Sequence, residues 1–579
     1  MSVLVSAFAM SAPLAAQVQP AEVTELTKRS GNTLTPEQAG LKLEQVDLAV
    51  EVFPDRKEIA GTALHTFTAK QPTKTVILDL DRNLAVSAVS VNGRAVQAGS
   101  WSNPEGKLSI ALPRPIKAGQ RFTVQVRYAG APLVAKQAPW DGAFVWSKTE
   151  SGKPWVATAV QGEGCDTFWP CIDHPTFEPA VMDLHITVPP GLAAPSNGIL
   201  QKIETLPDGK STYHWRVKNP NTYGIALNVG PYKLIKGEHK SRYGNNIPVE
   251  FWHLEGNEKQ AAAFFPEIGA SIDFFEALVG PYPFSDEKAG LVETPHLGME
   301  HQTINAYGNK FAESPAGYDW LFHHEFAHEW FANQLTAADW DDYWLHEGYA
   351  AYMEPLFGRW KDGELAYHAQ LSSKRPGIMN QRPLTSGRNM AGEEVYKEGT
   401  GPGGDIYVKG AWVLHTLREH IGDQAFFDAT RRLVYGRPDP KPGNFKPRYG
   451  SSAELRQIVN QVTGRDMGWF FDIYLSEAAL PDLVQERTGD TLNLRWVTPS
   501  NKPFPLPVEV GVDGRVQTVA MTGNKGSLQV PASAHVVLDP SGKILRRSRD
   551  IEAFQAWQKA QAAKAAAAKK AAEAAGTAK

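Results

Sequence analysis

The sequence predicts an α+β multidomain protein: an N-terminal β-sheet domain, a mainly helical middle domain and a small C-terminal β-sandwich. Three observations predict it. The chain has 579 residues, more than one hydrophobic core accommodates. Apolar residues alternate at period two over the first part of the chain and recur at helical spacing from about Asn257. The alternation returns after Leu480-Pro481.

Each element follows in order. Residues 1–16 are small and apolar and precede a polar stretch, the pattern of a secretory signal peptide. Residues 38–250 form the β domain: TVILDLD and TVQVRYAG are strand patterns, VNG at 91–93 is a hairpin turn, and ITVPPGLAAPSNG leaves a strand into a Pro/Gly turn. Residues 251–480 form the mainly helical domain. Its first helical pattern, NEKQAAAFFPEIGASIDFFEALVG, stops at Gly280-Pro281, and GAWVLHTLREHIGDQAFFDATRRLV is amphipathic with an interruption at IGD. Residues 481–548, with TLNLRWVTPSN, LPVEVGVDG and LQVPASAHVVLDPSG, suit a small β-sandwich. Residues 549–579 are an Ala/Lys-rich tail of strong helix formers without an apolar face beyond alanine.

Composition narrows the function. The chain is 42% hydrophobic and 21% charged, as soluble globular proteins are, and its 59 basic against 63 acidic residues argue against a nucleic-acid partner. No stretch has the eighteen uninterrupted apolar residues of a stable membrane span. The two cysteines, Cys165 and Cys171, rule out a disulfide-built scaffold; they pair with each other if the chain is exported, or stay as buried thiols. The leader favours export, to a periplasm or the exterior, with a cytoplasmic protein as the alternative. Nothing in the sequence fixes an oligomeric state.

The chemistry concentrates in HHEFAHEWFANQLTAADWDDYWLHEGYA, from His323. A helix turns about 100° per residue, so His324 and His328 project from consecutive turns of one face. Their rings can converge on one ion about 2 Å away, while Glu325 on the adjacent strip can reach water near that ion. Glu347 follows His328 after eighteen residues and supplies a third ligand if a second helix, capped by Asp341 or Asp342, folds back. Two imidazoles and a carboxylate are the donor set of a catalytic zinc, one Zn²⁺ per chain, with an open corner for substrate. His323 and His346 face elsewhere as structural residues. Asp339 or Asp342 is a candidate to accept the outer N–H of a liganding imidazole.

HEFAHEWFANQLT…WLHEGYAAYMEPL resembles the zinc site of the M1 (aminopeptidase N-like, gluzincin) family. Three further segments are similar to family elements. GLVETPHLGMEH resembles the GxMEN-type strand edge, which implies that Gly298, Met299, Glu300 and His301 bind substrate and that Glu300 meets its amine; His301 stands where the family usually has Asn. DIYVKGA resembles YxKGA, which implies that Tyr407 stabilises the tetrahedral intermediate. VQGEGCDTFWPCIDHP resembles the TQxE…FPCxDEP segment, which implies that Gln161 and Glu163 line the amine-binding corner, although the segment is shorter and lacks the usual Arg. The likeness runs from about residue 40 to 545 and implies a thermolysin-like catalytic domain between the two β domains.

The resemblance implies a zinc aminopeptidase acting on peptides with a free N-terminus, with Glu325 as general base. Its rivals are a thermolysin-type endopeptidase, which needs no amine-binding acids, and an epoxide hydrolase/aminopeptidase of the leukotriene A4 hydrolase type. From a different class, a non-catalytic M1-like binding protein would have lost a ligand, and all three ligands and the base are present.

Overall fold

The structure, a computed structural model, describes residues 23–576 apart from positions 398 and 444. The apolar leader 1–16 lies outside the described residues.

Alternation builds the first sheet. In the strand Leu41–Phe53, Val46, Leu48, Val50 and Val52 are buried while intervening residues are partly exposed, as period two requires. This strand pairs antiparallel with Glu58–Ala69 and parallel with Val181–Val188. Eight strands result, in the order Ile199–Thr205, Ser211–Lys218, Val181–Val188, Leu41–Phe53, Glu58–Ala69, Arg121–Gly130, Leu84–Val91, Arg94–Ala95. A smaller sheet of Thr73–Asp79, Lys107–Ile116 and Trp101–Ser102 shares the core through Val76, Leu78, Leu108 and Ile110. Each such side chain contributes about 1.5–3 kcal/mol by leaving water. Cys165 and Cys171, both buried, are disulfide-bonded just after Gln161 and Glu163.

A five-stranded sheet follows, in the order Tyr232–Lys240, Asn246–Leu254, Ala289–Glu293, Asn305–Tyr307, Gly298–Met299. The domain break expected at 250 falls inside Asn246–Leu254, which pairs in parallel with Ala289–Glu293. Pattern alone misplaces this strand because its alternation matches the upstream strands and only its partner differs. Gly298–Met299 is the outer strand of the sheet, so one backbone edge faces the cleft.

The helices pack on the other side of that edge. Trp344–Asp362 and Asp405–Ile421 approach backbone to backbone at Gly348 and Gly410. A Cβ added to Gly410 would lie 2.8 Å from the Gly348 Cα, so the close approach depends on glycine. This contact fixes the helix that carries Tyr407 against the helix that carries Glu347. The last domain is two three-stranded sheets, Asp482–Thr488, Thr491–Val497, Lys525–Gln529 and Arg515–Val519, Val508–Val512, Val536–Leu538. It docks on the helices where Phe504 meets Trp469 and Tyr474 edge-on. The Ala/Lys-rich segment is a helix, Arg549–Gly576, held at its start by Gln555 donating to the Pro376 and Ile378 carbonyls. Among the described residues no helix is long and apolar enough to cross a membrane.

Candidate active site

The helix Trp320–Ala327 starts on a side-chain cap, Asp319 accepting from the Phe322 N–H at 3.0 Å. It ends earlier than the sequence pattern predicts. His328 is its C-cap, and Glu329–Gln334 form a π-type turn with non-helical angles at Phe331 and Ala332. The break has a use: the Phe331 carbonyl turns back to accept from His328 Nδ1 at 3.1 Å. His324 donates from its own Nδ1 to Glu354 Oε1 at 3.0 Å, and Lys374 holds the second Glu354 oxygen at 2.6 Å. Both rings therefore aim Nε2, the nitrogen a metal would take, at the same point.

Glu347, in the first turn of Trp344–Asp362, completes the set. Its Oε2 lies 3.3 Å from His324 Nε2 and 3.4 Å from His328 Nε2, and the two Nε2 atoms are 3.3 Å apart. Corners of such a triangle lie about 2 Å from a common point, the length of zinc bonds to imidazole and carboxylate. The Glu347 Oε2 is buried without a hydrogen-bond donor, as an oxygen reserved for a cation would be. Burial works to raise the Glu347 pKa, yet the His328 and His324 rings outweigh it and hold the carboxyl well below the usual range. The donors thus fit one zinc ion. A second set, Glu300, Glu325 and His328, converges in the same space, but it offers one imidazole instead of two.

The second helix begins differently from the expectation. Tyr343 precedes it without a side-chain cap. Asp339 caps the short turn Trp340–Asp342, Asp341 accepts from Ser386, and Asp342 accepts from the Ser452 N–H and hydroxyl. Neither Asp339 nor Asp342 reaches a metal-site imidazole; Glu354 takes that place. Its signal was in the sequence: seven residues beyond Glu347 is two turns along the same helix face. His323 and His346 are structural, His323 stacked on Phe357 at 4.2 Å between ring centres and His346 Nε2 accepting from the Ala337 N–H.

A cavity of about 240 Å³ opens beside the three donors. Gln161, Glu163, Gly298, Met299, Glu300, Glu325 and Tyr407 all line it. A Cβ at Gly298 would displace the Glu325 carboxylate and the Leu321 side chain, so glycine there keeps Glu325 in place. Glu300, 3% exposed, accepts from Gln161 Nε2 and from the Tyr223 hydroxyl at 3.3 Å. Burial raises its pKa, with Glu347 adding to the rise. Glu325 is pushed up to about 8 by burial, offset in part by the two imidazoles and reinforced by Glu300 and Glu347. Glu163 reaches about 8 through burial and the nearby Asp141 and Glu393. The Tyr407 hydroxyl meets that of Tyr396 at 2.9 Å, and its ring stacks near His324.

His301 is the exception among the expected substrate-binding residues. It is fully buried, does not line the cavity, and neither ring nitrogen has a hydrogen-bond partner among the described residues. His301 follows the strand Gly298–Met299 and is buried behind the cavity wall instead of lining it. Tyr396, Glu393 and the 63%-exposed Trp140 at the rim were not legible beforehand. They come from loops and a short helix whose placement depends on long-range packing.

Comparison with known proteins agrees with this site. The family model described as the Peptidase M1 N-terminal domain matches residues 42–223, and that of the Peptidase family M1 domain matches residues 319–474. Endoplasmic reticulum aminopeptidase 1 of Homo sapiens is 25% identical over 395 residues, 63% of this chain and 40% of its own length. Tricorn protease-interacting factor F2 of Thermoplasma volcanium is 22% identical over 397 residues, 63% of this chain and 47% of its own. The chain therefore spans about half or less of these two relatives. A crystal structure of a mutant M1 zinc metallopeptidase from Deinococcus radiodurans, bound to a Tyr-Ser-Ala substrate, superposes with a TM-score of 0.66 at 25% identity. The match covers 79% of this chain and 98% of that one.

Proposed function

The chain belongs to the M1 peptidase family, and on that premise we propose that it is a zinc-dependent aminopeptidase removing N-terminal residues from peptides with a free α-amine. One observation carries the reading: two imidazoles and a carboxylate converge within 3.4 Å beside a cavity lined by five glutamates and no lysine or arginine. His324, His328 and Glu347 hold the metal. When bound, zinc polarises a carbonyl and lowers the pKa of water.

The protein's own groups do the rest. The exposed edge of Gly298–Met299 pairs with the peptide backbone as an added strand. Glu300 receives the α-ammonium, with Gln161 holding its carboxylate in place. Glu163, held toward its neutral form by burial and by the nearby Asp141 and Glu393, regains charge when an ammonium arrives. Glu325 takes a proton from the attacking water and returns it to the leaving amine. The Tyr407 hydroxyl, oriented by Tyr396, donates to the oxygen on which charge develops. The Cys165–Cys171 disulfide supports an oxidising compartment, and with the apolar leader we read the protein as exported.

Blocking the amine tests the assignment. Acetylating the N-terminus of a tripeptide removes the cation that Glu300 is placed to meet and leaves a buried carboxylate unpaired. The expected loss in kcat/KM is about 10²-fold or more, measured by chromatography of paired free and acetylated peptides. Equal turnover of the pair would make the enzyme an endopeptidase.

A further inference from the structure

A second cavity, of about 410 Å³, opens where the helical domain, the C-terminal β domain and the start of the helix Arg549–Gly576 meet. It shares no lining residue with the active site. Ile378, Leu480, Val497 and Ile551 give it apolar walls, and Arg375, Arg547, Asp482 and Glu552 give it charge. These charges do not pair off evenly. Arg547 reaches Glu552 at 2.6 Å and Asp482 at 3.9 Å, which commits both acids. Arg375 has no carboxylate partner among the described residues; its hydrogen bond runs from Nη2 to the Arg546 carbonyl.

A buried charge is normally paired, and Arg375 is only 8% exposed. Arg418, also buried, shows the ordinary solution: it meets Asp423 at 2.9 Å and Glu419 at 3.5 Å. Arg375 instead rests over the Trp412 ring, 5.8 Å from its centre, and burial pulls its pKa down to about 10. Its Nε and Nη1 groups make no hydrogen bond among the described residues, yet they are not sealed from solvent. The segment that carries the arginine is firmly held. Lys374 pairs with Glu354, Asp405 accepts from the Met379 and Asn380 N–H groups at 2.7 Å each, and Gln555 donates to the Pro376 and Ile378 carbonyls. A donor fixed in advance leaves little ordering for a ligand to impose.

We propose that this cavity binds a small carboxylate with an apolar body, the chemistry of an apolar amino acid, and that Arg375 is the residue that receives it. The free N–H groups of the guanidinium donate to the carboxylate oxygens, a charge-assisted contact that supplies the missing counterion. The Ile378, Leu480, Val497 and Ile551 walls cover the apolar body. Asp482 and Glu552 at the same cavity disfavour a doubly charged anion such as phosphate. The site is separate from the zinc cleft and does not depend on the peptidase reading.

Ligand-observed NMR with N-acetyl-leucine and the zinc-loaded full chain tests this, with leucine hydroxamate filling the zinc cleft. The expected result is binding with a Kd of about 1 mM, none for N-acetyl-leucinamide, which lacks the carboxylate, and a weakening of about tenfold or more in Arg375→Gln. Circular dichroism establishes that each variant is folded. Val497 is 38% exposed, so Val497→Glu is expected to fold while setting a competing carboxylate in the cavity. It should weaken binding likewise, and it carries the test if Arg375→Gln does not fold. Absence of binding by N-acetyl-leucine, equal binding of acid and amide, or binding unchanged in a folded variant overturns the proposal. Displacement of N-acetyl-leucine by an equal concentration of inorganic phosphate also overturns it.

Discussion

Glu325→Gln is expected to lower kcat by about 10³-fold while the protein stays folded and keeps its zinc. Glutamine has the same shape and cannot take a proton. General-base removal costs about 10²–10⁴ in rate, and the upper part of that range applies because the other two carboxylates that converge on the metal donors are already engaged. Glu347 is committed to the metal, and Glu300 is held by Gln161 and Tyr223. Steady-state kinetics on an aminoacyl chromogenic substrate, beside zinc content by mass spectrometry, checks both halves. A variant that loses its zinc along with its activity would move Glu325 into the coordination shell, through the competing donor set with Glu300 and His328.

Tyr407→Phe is expected to lower kcat by about 10²–10³-fold with KM little changed. Its hydroxyl meets charge that exists only in the transition state, so the loss falls on kcat. The geometry supports this split: the ring stacks near His324, and the hydroxyl's partner in the structure is the Tyr396 hydroxyl. Tyr396→Phe acts only through Tyr407 and should cost less. A Tyr407→Phe enzyme with normal kcat and a raised KM would make this residue a substrate-binding group.

What was legible in the sequence was local. The four-residue spacing of His324 and His328 is a property of one helix turn, and Glu347 sits near the start of the next long helix. The cavity-lining positions Gly298, Met299 and Glu300 came with a motif whose backbone is a strand edge. What was not legible depends on other parts of the chain. The helix breaks at His328 because the Phe331 carbonyl is needed at its Nδ1, and nothing in EWFANQ announces a π turn. Glu354 was legible from its place two turns beyond Glu347; what the sequence did not reveal is that Asp339 and Asp342 are drawn off to cap a turn and to bind Ser452. His301 is buried away from the cavity that Glu300 lines, which the motif does not reveal. The strand Asn246–Leu254 joined the second sheet through a parallel partner, Val249 pairing with Ala289 and Trp252 with Val292, which alternation cannot reveal.

The most direct test is the zinc content and activity of the wild-type chain and Glu347→Ala after dialysis against a chelator and back into zinc-limited buffer. The expected result is one tightly held zinc per wild-type chain, activity that vanishes and returns with it, and a Glu347→Ala chain that is folded, metal-poor and inactive. Hydrolysis of aminoacyl substrates by a metal-free chain, or by Glu347→Ala at the wild-type rate, would contradict it.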